Sequence, residues 1–226
     1  MTGNFVDAFL NIESAQKVAP MLMSGFWVTL ELVLAIVPAA LVIGLVVAML
    51  RDLKIPGLNL LLIVYVDVMR SVPPLVALIF MYSGLPFVGI HLSEFGTVAL
   101  VLVANGAAFF GEIFRAGFEA VPMGQREAAR STGLGKLASE IFVVLPQGVK
   151  KVIPPVASNV IELVKATALG SVLALPELLR AARMAQSIVY DATPLLMAAG
   201  IYLICLWPFV RLLSRLEHKM TVIASR

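Results

Sequence analysis

From Leu22 to Leu50 the chain carries one charged side chain, Glu31. Crossing the hydrocarbon core of a bilayer as an α-helix takes roughly 20 consecutive, mostly apolar residues. This run meets that length, and similar stretches recur. Phe95 to Gly111 and Ala192 to Val210 carry no charge, and Val152 to Pro176 carries only Glu162 and Lys165. Ile55 to Ile90 is apolar for longer than one crossing needs, and Asp67, Arg70 and Pro73-Pro74 interrupt it. It reads as an interfacial helix to about Met69, followed by a span from about Ser71 to Pro86.

Composition agrees. Hydrophobic residues make up 60% of the chain and charged residues 14%, where soluble domains have about 45–50% and about 25%. Mean hydropathy is +0.97. A net charge of +3 is too small and too scattered for a nucleic-acid surface. The single cysteine, Cys205, excludes an intrachain disulfide framework and a Cys-based zinc cluster, and two histidines, His91 and His218, offer no metal site. No short basic region precedes a hydrophobic stretch at the start, where Asp7, Glu13 and Lys17 lie, so no cleavable signal is expected. The fold expected is an all-α membrane protein of about five transmembrane helices plus an interfacial helix. Without an internal repeat or linker it forms one domain, 1–226, with its core at about 22–215.

Basic residues set the orientation. Arg51 and Lys54, six Lys/Arg between Arg115 and Lys151, and Arg211, Arg215, Lys219 and Arg226 fall on one side; Lys17, Arg180 and Arg183 fall on the other. Twelve against three puts the basic side in the cytoplasm, the N-terminus outside and the C-terminus inside.

The longest polar interruption, about 115–151, is patterned. Pro122 and Gly124 are expected to stop the helix descending from the third span. Gln125 to Ser131 reads as a short helix, Gly133 and Gly135 as a turn, and Lys136 to Val144 as a second helix ending before Pro146. Ala128 and Ala129 present a small-residue surface, and Arg126 and Arg130 lie one turn apart. Such a helix–turn–helix suits a partner's groove; an ordinary solvated loop is the alternative on composition alone.

Spacing narrows this further. Glu127-Ala128-Ala129, Gly133 after three residues, then Val143-x-Leu145-Pro146 after nine more resembles the EAA loop of ATP-binding-cassette (ABC) importer permeases. Val143 stands where isoleucine is more usual. Arg70-Ser71-Val72-Pro73-Pro74-Leu75-Val76 with Tyr82 and Gly84-Leu85-Pro86 is similar to a stretch of the polar amino acid permeases, as is Leu163-Val164-Lys165-Ala166-Thr167-Ala168-Leu169. In the latter, Ala166 and Ala168 replace the family's Asp and Ser. The resemblance covers about 22–210 and implies a permease subunit of a bacterial importer in the cytoplasmic (inner) membrane. Its implied partners are two cytoplasmic ATPase subunits, a second permease (identical or a sister subunit) and an extracytoplasmic substrate-binding protein. The ATPase-coupling residues it implies are Gly124, Gln125, Arg126, Glu127, Ala128, Ala129, Arg130, Gly133, Leu134 and Gly135. The chain has no Gly-rich phosphate loop, so ATP and Mg would be bound by the partner ATPases, with no cofactor and no catalytic residue here.

Ionisable residues within a span point to function. Glu162 and Lys165 share a helix face with Asn159, and the prolines 154–155 and Gly170 mark this span as easily broken, as in transporters that bind substrate at broken helices. Asn159, Glu162, Lys165, Thr167 and Arg70 are the candidate substrate pathway. The alternatives are a Glu162–Lys165 salt bridge that only holds helix packing and a headgroup-seeking side chain for Arg70. Glu112 and Arg115 are expected to pair at the inner membrane edge. Arg180 and Arg183 fall in an outward segment that is either a landing surface or a plain loop. Two other classes compete. A stand-alone secondary transporter or channel would need its own coupling-ion site and usually an inverted repeat. A membrane enzyme would need nucleophile–base pairs or metal-ligand spacing.

Overall fold

A computed structural model describes residues 9–224; the side chains of Asp7, His218, Lys219 and Arg226, which entered the charge and histidine readings, lie outside that description. The described residues are almost entirely helical. The first helix, α1 (Ile12–Asp52), has 41 residues and at ~1.5 Å per residue is about 60 Å long, about twice the ~30 Å hydrocarbon core. It therefore begins well before the apolar run that announces it. Asn11 caps it, its side chain accepting from the Ser14 N–H at 3.1 Å and satisfying one of the first turn's unpaired donors. One stripe of buried residues, Val18, Leu22, Gly25, Thr29, Leu32, Ile36, Ala40, Gly44 and Val47, runs its length at spacings of three and four.

Helices α2 (Leu58–Ser71) and α3 (Pro74–Gly84, extended by a 3-10 turn at Leu85–Val88) meet at an angle of 104°. The break has a local cause. A residue before proline is driven out of the helical region, and Val72 and Pro73 take extended ψ values of 124° and 131°. The Asn105 amide donates to the freed Met69 carbonyl at 2.7 Å, which supplies one orphan acceptor of the last turn. One face of α2, expected as an interfacial helix to about Met69, rests on α1 and α4: the Tyr65 hydroxyl donates to the Ala104 carbonyl at 2.7 Å and Val66 is fully buried with Val47 and Ala108, while Leu60, Leu61, Val64 and Val68 are exposed. With 11 residues, α3 is about 16 Å long, too short to cross the ~30 Å core by itself. Among the described residues four helices are long and apolar enough to cross, and five when the bent pair is counted as one span.

Helix α4 (Glu94–Glu119) lies alongside α1 and runs in the same direction, with Gly106 beside Ala40 and Gly111 beside Val47, and these two make the most extensive contact in the molecule. At its end come α5 (Met123–Ser131) and α6 (Lys136–Ser139), a π-helical turn (Glu140–Val144) and α7 (Leu145–Lys151). The expected stop before Pro146 does not occur. The wider π-turn carries the chain through the proline, with Leu145 N–H bonding to the Glu140 carbonyl. Gly124 likewise does not end a helix: Pro122 precedes α5 as its N-cap and Gly124 lies inside it.

Helix α8 (Ile153–Ala166) opens on Pro154 and Pro155, which sit in its first turn, where proline costs nothing, so they start the helix and do not break it. The break comes at Thr167–Leu173, a 3-10 continuation. Helix α9 (Leu178–Val189), capped by the buried Glu177, packs across the N-terminal half of α1, and α10 (Thr193–Ala224) returns along the bundle. The α5–α7 segment and α9 thus occupy opposite ends of the molecule.

Closeness of α1 and α4 depends on glycine. A Cβ on Gly44 would lie 2.6 Å from Phe110 Cβ and 2.9 Å from the Ala107 carbonyl oxygen. Gly44→Ala is expected to destabilise the chain by about 1–3 kcal/mol, the usual range for overpacking. Gly200→Ala, which meets open space, should leave it unchanged. Melting temperatures of the purified variants in detergent check this, and equal values would mean that the two helices part without cost.

Candidate functional site

At the α5 end, the helix is short, polar and largely on the surface. Gly124, Gln125, Glu127, Ala128, Arg130, Gly133 and Gly135 are exposed, Leu134 is half-buried, and Ala129 is buried and anchors the helix. Its end is a Schellman turn. Gly133 N–H bonds to the Arg130 carbonyl at 3.0 Å and Leu134 N–H to the Ala129 carbonyl at 3.4 Å, with Gly133 at φ +89°. An L side chain resists that backbone region, which explains a glycine there.

Arg126 does not share the exposure of its neighbours. Its guanidinium donates to Asp52 at 2.9 Å, to Glu140, and to the Phe118 carbonyl at 3.0 Å. Arg126 and Arg130, expected on one outward face, therefore differ: Arg130 is exposed and Arg126 turns inward. Burial, reinforced by the neighbouring Asp52 carboxylate, pushes Glu140 up to about 7. Lys136 donates to the Leu53 carbonyl at 2.5 Å. Asp52 and Glu140 escaped the sequence reading because one looked like the trailing charge of a span and the other like a solvated loop residue.

A second charged knot lies where α1, α2 and α4 meet. Glu112 accepts from Arg51, from Arg115 at 3.0 Å (Nη2) and 3.2 Å (Nε), and faces Arg70 at 3.6 Å. The Arg70 guanidinium also lies 5.4 Å from the centre of the Phe109 ring, a cation–π distance. The expected Glu112–Arg115 pair is present, with two further arginines; Arg70, placed in the candidate pathway, belongs to this knot. Its signal was readable in one respect, since Arg51 and Glu112 both end apolar runs.

On α8, Glu162 and Lys165 form an ion pair on an outward face, with side chains 66% and 50% exposed. Beside them Pro155, Ser158, Asn159 and Glu162 line, with Ile113 of α4, an open cavity of about 390 Å³. Thr167 lies elsewhere: it is buried and its hydroxyl donates to the Val164 carbonyl at 2.7 Å. Two positions beyond Lys165, it falls on nearly the opposite face of the helix. Cys205 is exposed on a large apolar groove between α1, α8 and α10. Among the described residues no group of His, Cys, Asp and Glu is placed to hold a metal ion.

A bundle of four to five apolar helices, with a charged pair on an outward face of α8 and a surface helix–turn–helix at one end, fits a membrane-embedded subunit. The chain belongs to the family described as binding-protein-dependent transport system inner membrane component, which matches residues 40–222. It is 33% identical to a probable glutamine ABC transporter permease protein, GlnP, of Bacillus subtilis (strain 168), over 94% of this chain and 99% of the other. It is 34% identical to a probable amino-acid ABC transporter permease protein, y4tG, of Sinorhizobium fredii (strain NBRC 101917 / NGR234), over 90% and 86%. The fold matches a chain in the crystal structure of an amino acid ABC transporter with histidines, with TM-score 0.83, 32% identity and coverage of 97% and 100%. A permease chain of the inward-facing MetNI methionine ABC transporter shares the fold at TM-score 0.74 and 23% identity, over 88% and 95%. This is a multi-pass inner-membrane permease subunit of an ABC transporter, and the stand-alone transporter reading is set aside.

Breaking the second knot tests its weight. Glu112→Ala leaves Arg51 without its carboxylate in a site where both side chains are largely buried. Loss of one partner from such a pair costs about 3–5 kcal/mol. Glu119→Ala, on an exposed partner of Arg115, should cost about 1 kcal/mol or less. Detergent melts of the two variants should rank in that order.

Proposed function

We propose that this permease moves a polar amino acid inward, by alternating access driven by two ATPase subunits docked on α5 and its turn. Support for the substrate class comes from relatives whose names carry glutamine, arginine and other amino-acid transport, together with the sequence motifs at 70–86 and 163–169. The single observation that carries the pathway is the Glu162–Lys165 pair. Two charges on an outward face of a span are costly against lipid. A second permease, identical or a sister subunit, covers that face, and Asn159, Glu162 and Lys165 contact the amino and carboxylate groups of the passing substrate. Thr167, buried in its own helix, holds the break in α8 and does not touch the cargo; Arg70 braces the wall from its knot with Glu112.

The α5 end faces the cytoplasm in this reading, which puts the start of α1 and all of α9 outside, toward a substrate-binding protein. Gly124, Gln125, Glu127, Ala128, Arg130 and the Gly133–Gly135 turn form the docking knob, and Arg126, Ala129 and Leu134 hold it in shape from behind. ATP and Mg are bound and ATP is hydrolysed on the partner subunits. Closure of those subunits displaces α5 and rocks the spans as rigid bodies.

Affinity purification of the tagged permease from its own membrane should bring down an ABC-type ATPase, identified by mass. Gly133→Pro cannot adopt φ +89° and should reduce the co-eluting ATPase at least about tenfold, since a misdirected α5 removes more than the 1.4 kcal/mol that a factor of ten represents, while the permease still inserts. Undiminished ATPase would take this helix out of its assigned role. Lys165→Ala should leave the complex assembled and lower substrate uptake in proteoliposomes; uptake at the wild-type rate would reduce the α8 pair to a packing contact.

A further inference from the structure

We propose that Arg126 is a positioning residue for coupling: its guanidinium, held between Asp52 and Glu140, is the joint that carries displacement of α5 into the first spanning helix. This deepens the coupling role proposed above and rests on it. Three observations lead here. First, α5 does not lie flush on the bundle. A cavity of about 500 Å³ separates them, lined by charged groups from every element around it: Asp52 and Lys54 at the end of α1, Glu119 of α4, Glu127 and Arg130 of α5, and Lys136 of α6. With Ala129 the one buried residue of α5, apolar packing between helix and scaffold is slight. Second, Arg126 spans the gap, touching the end of α1 through Asp52, the π-turn through Glu140 and the end of α4 through the Phe118 carbonyl. Third, the far side of the turn is tied to the same place, because Lys136 donates to the Leu53 carbonyl. Two cations on either side of the docking knob thus converge on the last turn of α1.

The joint has a built-in adjustment. Asp52 and Glu140 both accept from the same Arg126 guanidinium nitrogen, which brings the two carboxyl groups close together. With a proton on Glu140 the trio is neutral. Without it two carboxylates face each other over a single positive charge, Lys54 and Lys136 being the nearest further cations and Glu119 and Glu127 the nearest further anions. Burial and Asp52 raise Glu140 to about 7, so the proton is held below that pH and lost above it. A carboxyl whose value is raised favours the closed arrangement most at low pH, and that preference declines as pH rises toward 7 and is gone above it.

The test uses the whole transporter, permease with its ATPase and binding protein, in proteoliposomes with only the pH on the ATPase side varied. The readout is substrate moved per ATP hydrolysed. In the wild type this ratio should fall about threefold or more between pH 6 and pH 8, as Glu140 passes from about nine-tenths protonated to about nine-tenths ionised. Glu140→Gln, a permanent mimic of the protonated form, should hold the pH 6 ratio throughout. Arg126→Lys keeps the charge but lacks the planar fork, and should lower the ratio at both pH values with ATPase still bound. A Glu140→Gln complex with the wild-type pH profile would overturn the proposal, even if Arg126→Lys fails to assemble. If Gly133→Pro releases the ATPase while that profile persists, the docking role stands and the joint alone falls. If Gly133→Pro leaves the ATPase bound, the docking role and the joint fall together.

Discussion

The close parallel contact of α1 with α4 is the constraint on which the other elements depend. Gly44 brings the two backbones so near that an added Cβ would overlap Phe110, Gly106 and Gly111 fit tightly beside Ala40 and Val47, and lipid offers no competing advantage to parting them. Once these helices are fixed, both charged knots follow. Arg51 and Glu112 come together because the two helices end at the same level, and Asp52 is left pointing where Arg126 can reach it. The bent α2–α3 pair is seated on the same spine through Tyr65 and Asn105. α8 is seated through Leu163, which rests against Gly106.

Much of this was legible because lipid imposes a simple rule on sequence. Uncharged runs of the right length announce the crossings, and the Pro73-Pro74 pair announced the bend. Boundaries were less legible. The first helix starts at Ile12 because Asn11 caps it, a signal overshadowed by polar residues that look unlike a span. Pro146 read as a stop because an α-helix cannot absorb it, whereas a π-turn can, and no propensity scale distinguishes the two. The candidate site divided in the same way. Gly133 and Ala128 were readable from spacing because each answers a local backbone or surface requirement. The partners of Arg126 were not: Asp52 meets it only through the packing of α1 and α4, and Glu140 only because the chain folds back after the turn that follows α5.

Thr167 illustrates a subtler limit. Its neighbours in the sequence motif suggested a place beside Lys165, but residues two apart on a helix point to nearly opposite faces. A motif keeps residues together in sequence; it does not keep them on one side of a helix.

The length of α1 has a mechanical consequence. A rod about twice the thickness of the hydrocarbon core cannot tilt without sweeping its two tips through opposite arcs. Asp52, at one tip, is gripped by Arg126, while Ser14, near the other, is bonded to Asp191 in the turn before α10 at 2.5 Å. Such a beam, pivoting where Gly44 rests on Phe110, has unequal arms. Counted along the helix, the pivot lies far nearer Asp52 than Ser14, so a small push on the short arm becomes a larger swing at the opposite membrane face.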